Sequence, residues 1–230
     1  MRQANIGAVC HQRHNQVLAG KTQKLRNSPA NFAESDRMTT KRERLTMPKL
    51  IKAHSLTGRI TPKLMRQSFL AVKRNRGAAG VDKISVAMFE ANLDDNLSAL
   101  MRDLKDRSFQ TKPLRRVYIP KTGSTKLRPL GIPIVRDRMA QEVVRRLLEP
   151  IFEPTFHDAS HGFRKGRSCH TAIDSLLKMH DEGFWHVLDA DIKGFFDNLS
   201  HKVIMNAVCQ RVADGNILGL VEKFLKAGVM

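Results

Sequence analysis

Two carboxylates at alternate positions close an apolar segment near the end of the chain. In residues 188–198 (LDADIKGFFDN), Asp189 and Asp191 precede a Lys-Gly turn, two phenylalanines and Asp197. A buried strand does not normally hold acids on one face unless a cation meets them. The pattern therefore indicates a divalent metal, and Mg²⁺ suits it because Mg²⁺ prefers oxygen ligands and keeps substrate phosphates in its shell.

The element expected to hold these acids is a strand over residues 184–192. On such a strand Val187, Asp189 and Asp191 share one face, and Asp191 lies at the end, within reach of a ligand. An exposed edge strand with solvated acids explains the same pattern, and the D-x-D spacing alone does not separate the two interpretations. Phe196 could pack against the sugar of a bound nucleotide, or it could be a core aromatic.

The chain is strongly basic: 40 Lys and Arg against 22 Asp and Glu give a net charge of +18. Such an excess is typical of nucleic-acid binding proteins. A soluble basic protein, or one that meets an anionic membrane, is the alternative. The basic residues are spread over several predicted elements, which favours nucleic acid. No segment approaches ~18 consecutive apolar residues, so neither a membrane span nor a membrane partner is expected.

The chain has three widely spaced cysteines, Cys10, Cys169 and Cys209. They predict a reducing compartment and no disulfide framework. The expected location is the cytoplasm. An organelle is the alternative, because residues 1–45 are basic and poor in acids, although they lack the clear amphipathic helix of a targeting peptide.

Residues 1–45 show no sustained apolar period and are predicted to form a disordered basic arm. Beyond them, capping and periodicity signals predict six helices, over 62–74, after Ser85, over 136–149 up to Pro150, after Ser168, over 200–212 and over 216–227. A hairpin is predicted from strands over 114–120 and 126–133.

Two basic segments could contact phosphates. The hairpin carries five candidate residues, Arg115, Arg116, Lys121, Lys126 and Arg128, although a solvated charged hairpin fits the same pattern. Residues 162–168 (GFRKGRS) carry Arg164 and Arg167 just before a predicted helix, where a basic loop can bind a nucleic-acid phosphate. Their spacing differs from G-x-x-x-x-G-K-[ST], which excludes an NTPase phosphate loop.

Six sequence blocks, taken in order, carry a resemblance over about residues 60–230. They are 77–82 (GAAGVD), 119–121 (IPK), 128–133 (RPLGIP), Asp137-Arg138 with Gln141, 161–168 (HGFRKGRS) and 189–197 (DADIKGFFD). Together they resemble the reverse transcriptases of the group II intron class. A single block would be weak, but all of them in the family order form a specific match.

The resemblance implies an α+β fold: the fingers and partial palm of a right-hand polymerase, with helices packed on small antiparallel sheets. Fingers are expected over 46–138 and the first part of the palm over 139–230. The implied activity is RNA-directed DNA synthesis with two Mg²⁺ ions. The implied partners are an RNA template, intron RNA, a DNA primer and dNTP.

The resemblance also implies roles for the residues around the acidic pair. Asp191 matches the first metal-binding aspartate, with the backbone carbonyl of Ile192 as its partner in metal binding. Asp189 then has a supporting role. Phe196 matches the aromatic that screens the 2′-position of the sugar.

In the fingers, Arg128 and Lys121 match residues that touch the incoming triphosphate, and Lys126 is a rival to Lys121. Arg164 falls in a segment expected near template or primer. Arg115, Arg116 and Arg167 complete the set of expected nucleic-acid contacts together with Lys126.

One family motif is missing from the sequence, the Tyr-x-Asp-Asp hairpin. The only adjacent Asp pair, Asp94-Asp95, lies on the polar side of a predicted helix and cannot substitute. We therefore expect a fragment, a truncated reading frame or one piece of a split protein. Such a chain would be inactive alone, and a complementing chain would carry the rest of the palm. The alternatives are a non-catalytic RNA-binding module that assists intron splicing, and a degenerate remnant that does not fold stably.

Overall fold

The computed structural model describes residues 52–120, 123 and 125–230, without the side chain of Asp197. The predicted arm over 1–45 and Lys121 lie outside these residues. In chain order the elements are a 3-10 helix Thr57–Arg59, helices α1 Pro62–Arg74, α2 Val86–Ala91 and α3 Leu93–Lys105, strands β1 Arg115–Pro120 and β2 Leu127–Ile132, helix α4 Val135–Phe152, a 3-10 helix Glu153–Thr155, and helices α5 Cys169–Asp181, α6 Phe195–Asn198, α7 His201–Arg211 and α8 Gly215–Leu225. The mixed α and β class is confirmed.

Three predicted helix starts are confirmed by their caps. The side-chain oxygens of Thr61, Ser85 and Ser168 each accept a hydrogen bond from the backbone N–H three residues later. Such a bond satisfies one of the N–H groups that a helix leaves unpaired in its first turn. The first turn of each helix is thus determined by residues close to it in sequence.

The single helix predicted after Ser85 is wrong. Its apolar residues from Phe89 to Leu104 lie on two helices, α2 and α3. The backbone leaves the helical region at Asn92, with φ −120° and ψ 48°. The side-chain amide of Asn96 donates to the carbonyl of Phe89 at 2.9 Å, which satisfies an acceptor at the end of α2.

The expected end of α4 at Pro150 is wrong, because the helix continues to Phe152. Pro150 lies in the last turn, where its missing N–H removes a single backbone hydrogen bond. Ile151 and Phe152 are partly buried against the core, and this packing holds the turn in place.

The buried core lies between helices, contrary to the expected packing of helices on a sheet. Helices α1, α3, α4 and α8 each bury apolar side chains in it, among them Phe69, Leu100, Val143 and Ile217. No described residue of β1 or β2 is fully buried. The hairpin is therefore supported by a helical core and does not form that core.

The hairpin is confirmed to within one residue at each end of its strands. Strand β1 pairs antiparallel with β2, from Arg115 opposite Ile132 to Pro120 opposite Leu127. On the other side of β1, Leu114 donates to the Gly228 carbonyl at 2.7 Å and accepts from the Met230 N–H at 2.8 Å. Residues 228–230 therefore lie along β1 as a short parallel partner.

The predicted strand over 184–192 is wrong. These residues have no strand assignment, and their side chains are exposed, with Leu188 at 92% and Val187 at 84%. Extended backbone needs a neighbouring strand to pair its N–H and C=O groups. Among the described residues no strand pairs with this segment, so its apolar pattern is not sufficient to form one.

A carboxylate connects the two ends of the described chain. Asp214 caps α8 by accepting from the N–H groups of Asn216 at 3.0 Å and Ile217 at 3.2 Å. It also accepts from the N–H of Thr57 at 2.7 Å and from its hydroxyl at 2.9 Å, across 157 residues of sequence. Burial alone would raise the pKa of Asp214, but these hydrogen bonds outweigh burial and lower the pKa below 3.8.

We expect Asp214→Ala to lower the free energy of unfolding by about 1–3 kcal/mol near neutral pH, because the helix cap and the Thr57 hydrogen bonds are lost together. Since the folded pKa is depressed, the stabilisation is present above the unfolded pKa and is lost as pH falls through the folded pKa. The difference between the parent chain and the variant should therefore shrink below about pH 4. Urea denaturation over a pH series measures it.

Asp95→Ala is the matched control. Asp95 is exposed in the first turn of α3, so its removal should change stability by at most a few tenths of a kcal/mol. A stability difference for Asp214→Ala that does not change with pH would show that the carboxylate charge is not what holds the two ends together.

Candidate nucleic-acid interface

The residues of the predicted metal site lie on an exposed segment between α5 and α6. Asp189 and Asp191 are both exposed, and the Ile192 side chain is 67% exposed. Gly194 then adopts left-handed backbone, with φ 61° and ψ 36°, a conformation that glycine takes without a steric penalty. Phe196 follows in α6 and is 82% exposed, so its ring is accessible to a ligand.

The described residues do not form a complete metal centre. Among residues 52–120, 123 and 125–230, no group of three or more His, Cys, Asp and Glu side chains could hold a metal ion. Mg²⁺ is usually bound through one or two protein carboxylates beside its waters and substrate oxygens. Asp191 and the Ile192 carbonyl thus fit part of a ligand set, and their metal role stays a prediction.

The basic residues of the hairpin point to two different faces. Side chains alternate along a strand, so Arg115 lies on the face of β1 opposite to that of Arg116. Arg128 is paired with Ile119, which places it on the same face as Arg115. Arg115 is half-buried on its face, whereas Arg116, Arg128 and Lys126 are exposed. Arg115 and Arg116 are neighbours in sequence but lie on opposite faces of the hairpin.

The guanidinium of Arg164 points into its own loop, and the side chain is only 8% exposed. Its Nε and Nη2 donate to one Glu153 oxygen at 3.0 and 2.8 Å. Its Nη1 donates to the carbonyls of His157 at 2.8 Å and Ser160 at 2.9 Å. These bonds use most of the donors of Arg164, so its side chain holds the loop in position. The predicted contact of Arg164 with nucleic acid stays untested.

Arg167 also binds its own loop. It donates to the backbone carbonyl of Asp158, and its Nη2 lies 3.2 Å from the Asp158 carboxylate. A quarter of its side chain is exposed, so it is more accessible than Arg164. The structure therefore separates the basic residues that hold the loop from the exposed basic residues of the hairpin.

The block 77–82 packs against the start of α4, a role that sequence reasoning missed. A Cβ atom on Gly80 would lie 2.7 Å from the backbone N and Cα of Ile134. Arg138 reaches the same loop and donates to the Ala78 carbonyl at 2.8 Å. The glycine in the motif was the available signal, because a glycine often marks a close approach of two backbones.

Asp137, next to Arg138, is a buried carboxylate with 2% exposure. One of its oxygens accepts from the backbone N–H of Lys112 at 2.8 Å, and the other has no partner among the described residues. Burial raises the pKa of Asp137, against the opposing effect of the Lys112 hydrogen bond and the neighbouring positive charge of Arg136. It links the segment before β1 to α4, close to the Gly80 contact.

Comparison of the sequence with known proteins shows which family this part of the chain resembles. Residues 119–228 match the family model described as reverse transcriptase (RNA-dependent DNA polymerase). The match includes β2, the loop over 162–168 and the acidic segment, and it begins at the last two residues of β1. The chain therefore contains sequence of a reverse transcriptase domain.

No helix among the described residues is long and apolar enough to cross a membrane.

Three relatives illustrate this similarity. Group II intron-encoded protein LtrA of Lactococcus lactis subsp. cremoris is 42% identical over 60% of this chain and 23% of its own length. Protein YkfC of Escherichia coli is 42% identical over 65% of this chain and 40% of its own length. Nuclear intron maturase 1, mitochondrial, of Arabidopsis thaliana is 38% identical over 41% of this chain and 13% of its own length. Over about 60% of its length the chain is therefore similar to group II intron-encoded proteins, and it spans well under two thirds of the length of each of these relatives.

We expect Gly80→Ala to lower the free energy of unfolding by about 1–3 kcal/mol, because the added methyl group meets backbone atoms of Ile134 that cannot move aside cheaply. Urea denaturation followed by circular dichroism measures the change. Gly58→Ala is the matched control, since nothing lies within 4 Å of a Cβ at that position. Equal stability of the two variants would contradict the packing role of Gly80.

Proposed function

We propose that this chain forms the fingers and the beginning of the palm of a group II intron-type reverse transcriptase, and that its basic surface binds RNA. The proposal rests on the reverse transcriptase match over residues 119–228, which includes β2 of the hairpin, the loop over 162–168 and the acidic segment. Fingers over 46–138 and palm over 139–230 are part of the proposal. Helix α4 runs across that division, so the two parts share one rigid element.

The two faces of the hairpin suit two different phosphates. On one face, Arg128 is proposed to touch the triphosphate of an incoming dNTP, with Lys121 or Lys126 beside it. On the other face, Arg116 is exposed next to Tyr118 and is proposed to contact the backbone of the RNA template. A guanidinium is suited to both tasks because its planar donors match phosphate oxygens.

The acidic segment is proposed to supply part of a metal site. Asp191 would provide a carboxylate and Ile192 a backbone carbonyl to Mg²⁺, with Phe196 beside the sugar of the nucleotide. The further ligands of two Mg²⁺ ions would come from residues beyond these 230, for example on a complementing chain. The proposed partners are template and intron RNA, a DNA primer and dNTP, in the cytoplasm or an organelle.

Residues 1–230 alone should show no Mg²⁺-dependent extension of a DNA primer on an RNA template. The physical reason is that one proposed carboxylate ligand cannot fix two divalent ions. Incorporation of labelled dNTP measures synthesis, with Asp191→Ala assayed in parallel. Robust synthesis by the parent chain that Asp191→Ala abolishes would refute the need for further ligands.

A second candidate function is binding and folding of intron RNA without chemistry. The net charge of +18 and the maturase among the relatives favour it. It requires the same basic surface but not Asp191. RNA binding by the isolated chain therefore tests the surface that both functions share.

We expect the chain to bind RNA with an affinity that falls steeply as salt rises, because bound counterions are released. Arg116→Ala should reduce the slope of log K against log salt by about 0.7–1, and Asp191→Ala should leave it unchanged. Fluorescence anisotropy with a labelled RNA at several salt concentrations measures the slopes.

Arg145→Ala is the matched control for charge. Arg145 is paired with Glu142 at 2.7 Å and with Glu149 at 3.0 Å, so its removal should not change the slope. If Arg145→Ala lowers the slope as much as Arg116→Ala does, binding depends on net charge and not on the hairpin.

A further inference from the structure

A phenylalanine stands fully exposed at the tip of the loop that joins α4 to α5. The side chain of Phe163 has no measurable burial, and its backbone is left-handed, with φ 58°. Such backbone is unfavourable for a residue with a Cβ atom, and the surrounding structure has to hold it. Phe163 therefore occupies a strained and solvated position that its own packing does not explain.

The loop that presents Phe163 is tied down on both sides of it. The nearly buried guanidinium of Arg164 bonds Glu153 and two backbone carbonyls, and it lies 5.3 Å from the centre of the Phe156 ring. Ser168 and Thr171 then close the loop with a reciprocal capping box at the start of α5. These contacts fix the backbone, so the ring of Phe163 is held outward and does not fold back onto the loop.

The residues around Phe163 favour a nucleic-acid base as its partner over an apolar protein surface. In residues 157–168 (HDASHGFRKGRS) it is the only apolar side chain larger than alanine. Protein contacts usually bury a continuous patch around an aromatic anchor. The next residue with an exposed side chain is the cationic Lys165, while the Asp158 carboxylate is bonded to Arg167. An exposed aromatic side chain next to cations is one arrangement by which proteins bind single-stranded nucleic acid.

We propose that Phe163 stacks on a base of single-stranded RNA. This proposal rests on the proposed function of RNA binding. It adds a stacking contact that depends neither on charge nor on base sequence, because every base has a π-face. The basic surface would hold the phosphates, and Phe163 would hold one base of the same strand.

The test measures the affinity of the 230-residue chain for a labelled, unstructured oligouridylate at several salt concentrations. Phe163→Ala and Phe163→Leu should each weaken binding about fivefold or more, since neither side chain stacks, and Phe163→Trp should retain the affinity. The salt slope should stay unchanged in all three variants because no cation is removed. Leu70→Ala, which truncates another exposed apolar side chain on α1, should bind like the parent chain.

Three results would overturn the proposal. Full affinity of Phe163→Leu would mean that any apolar side chain suffices. Full affinity of Phe163→Ala, with a change in self-association on a sizing column, would assign the ring to a protein contact. In both cases the parent chain still binds RNA, so the proposed function stands. No RNA binding by the parent chain would overturn both proposals. Circular dichroism of each variant verifies that the loop substitution leaves the helices intact.

Discussion

The carboxylate of Asp214 determines how the described chain closes on itself. It accepts hydrogen bonds from the first turn of α8 and from Thr57, far away in sequence. Asn216 extends the connection by donating to the Leu104 carbonyl at the end of α3, at 2.6 Å. Apolar side chains of α3 and α8 lie in the same buried core, among them Leu100 and Ile217, so these polar contacts join two elements of that core. The helical core, and the hairpin that it supports, depend on this junction.

Local features of the fold followed from the sequence, and the contacts between distant segments did not. The caps at Thr61, Ser85 and Ser168 act within one turn, so residue type and spacing were enough to predict them. Residues 184–192 have the composition of a strand, but a strand is a property of two segments, and pairing cannot be seen from one. The role of Gly80 was equally hidden, because its neighbour Ile134 comes close only after folding.

The same distinction applies to the candidate interface. A net charge of +18 predicted a nucleic-acid partner, but it did not show which cations remain available. Arg164 resembles a phosphate ligand in its motif, yet Glu153 and the loop carbonyls occupy its donors. Arg116 and Arg128 stay exposed, on faces that the strand alternation could have separated in advance. The sequence therefore predicted a basic surface, and the folded geometry shows which of its cations are exposed.

The acidic segment shows two deficits that have a common physical origin. Its backbone has no strand partner among the described residues, and its carboxylates have too few neighbours to hold a metal ion. Metal affinity depends on ligands held at fixed distances, which an exposed, unpaired segment does not provide. A second strand beside residues 184–192 would pair the backbone and place further side chains next to Asp191. Pairing of this backbone and completion of the proposed metal site would then depend on the same added strand.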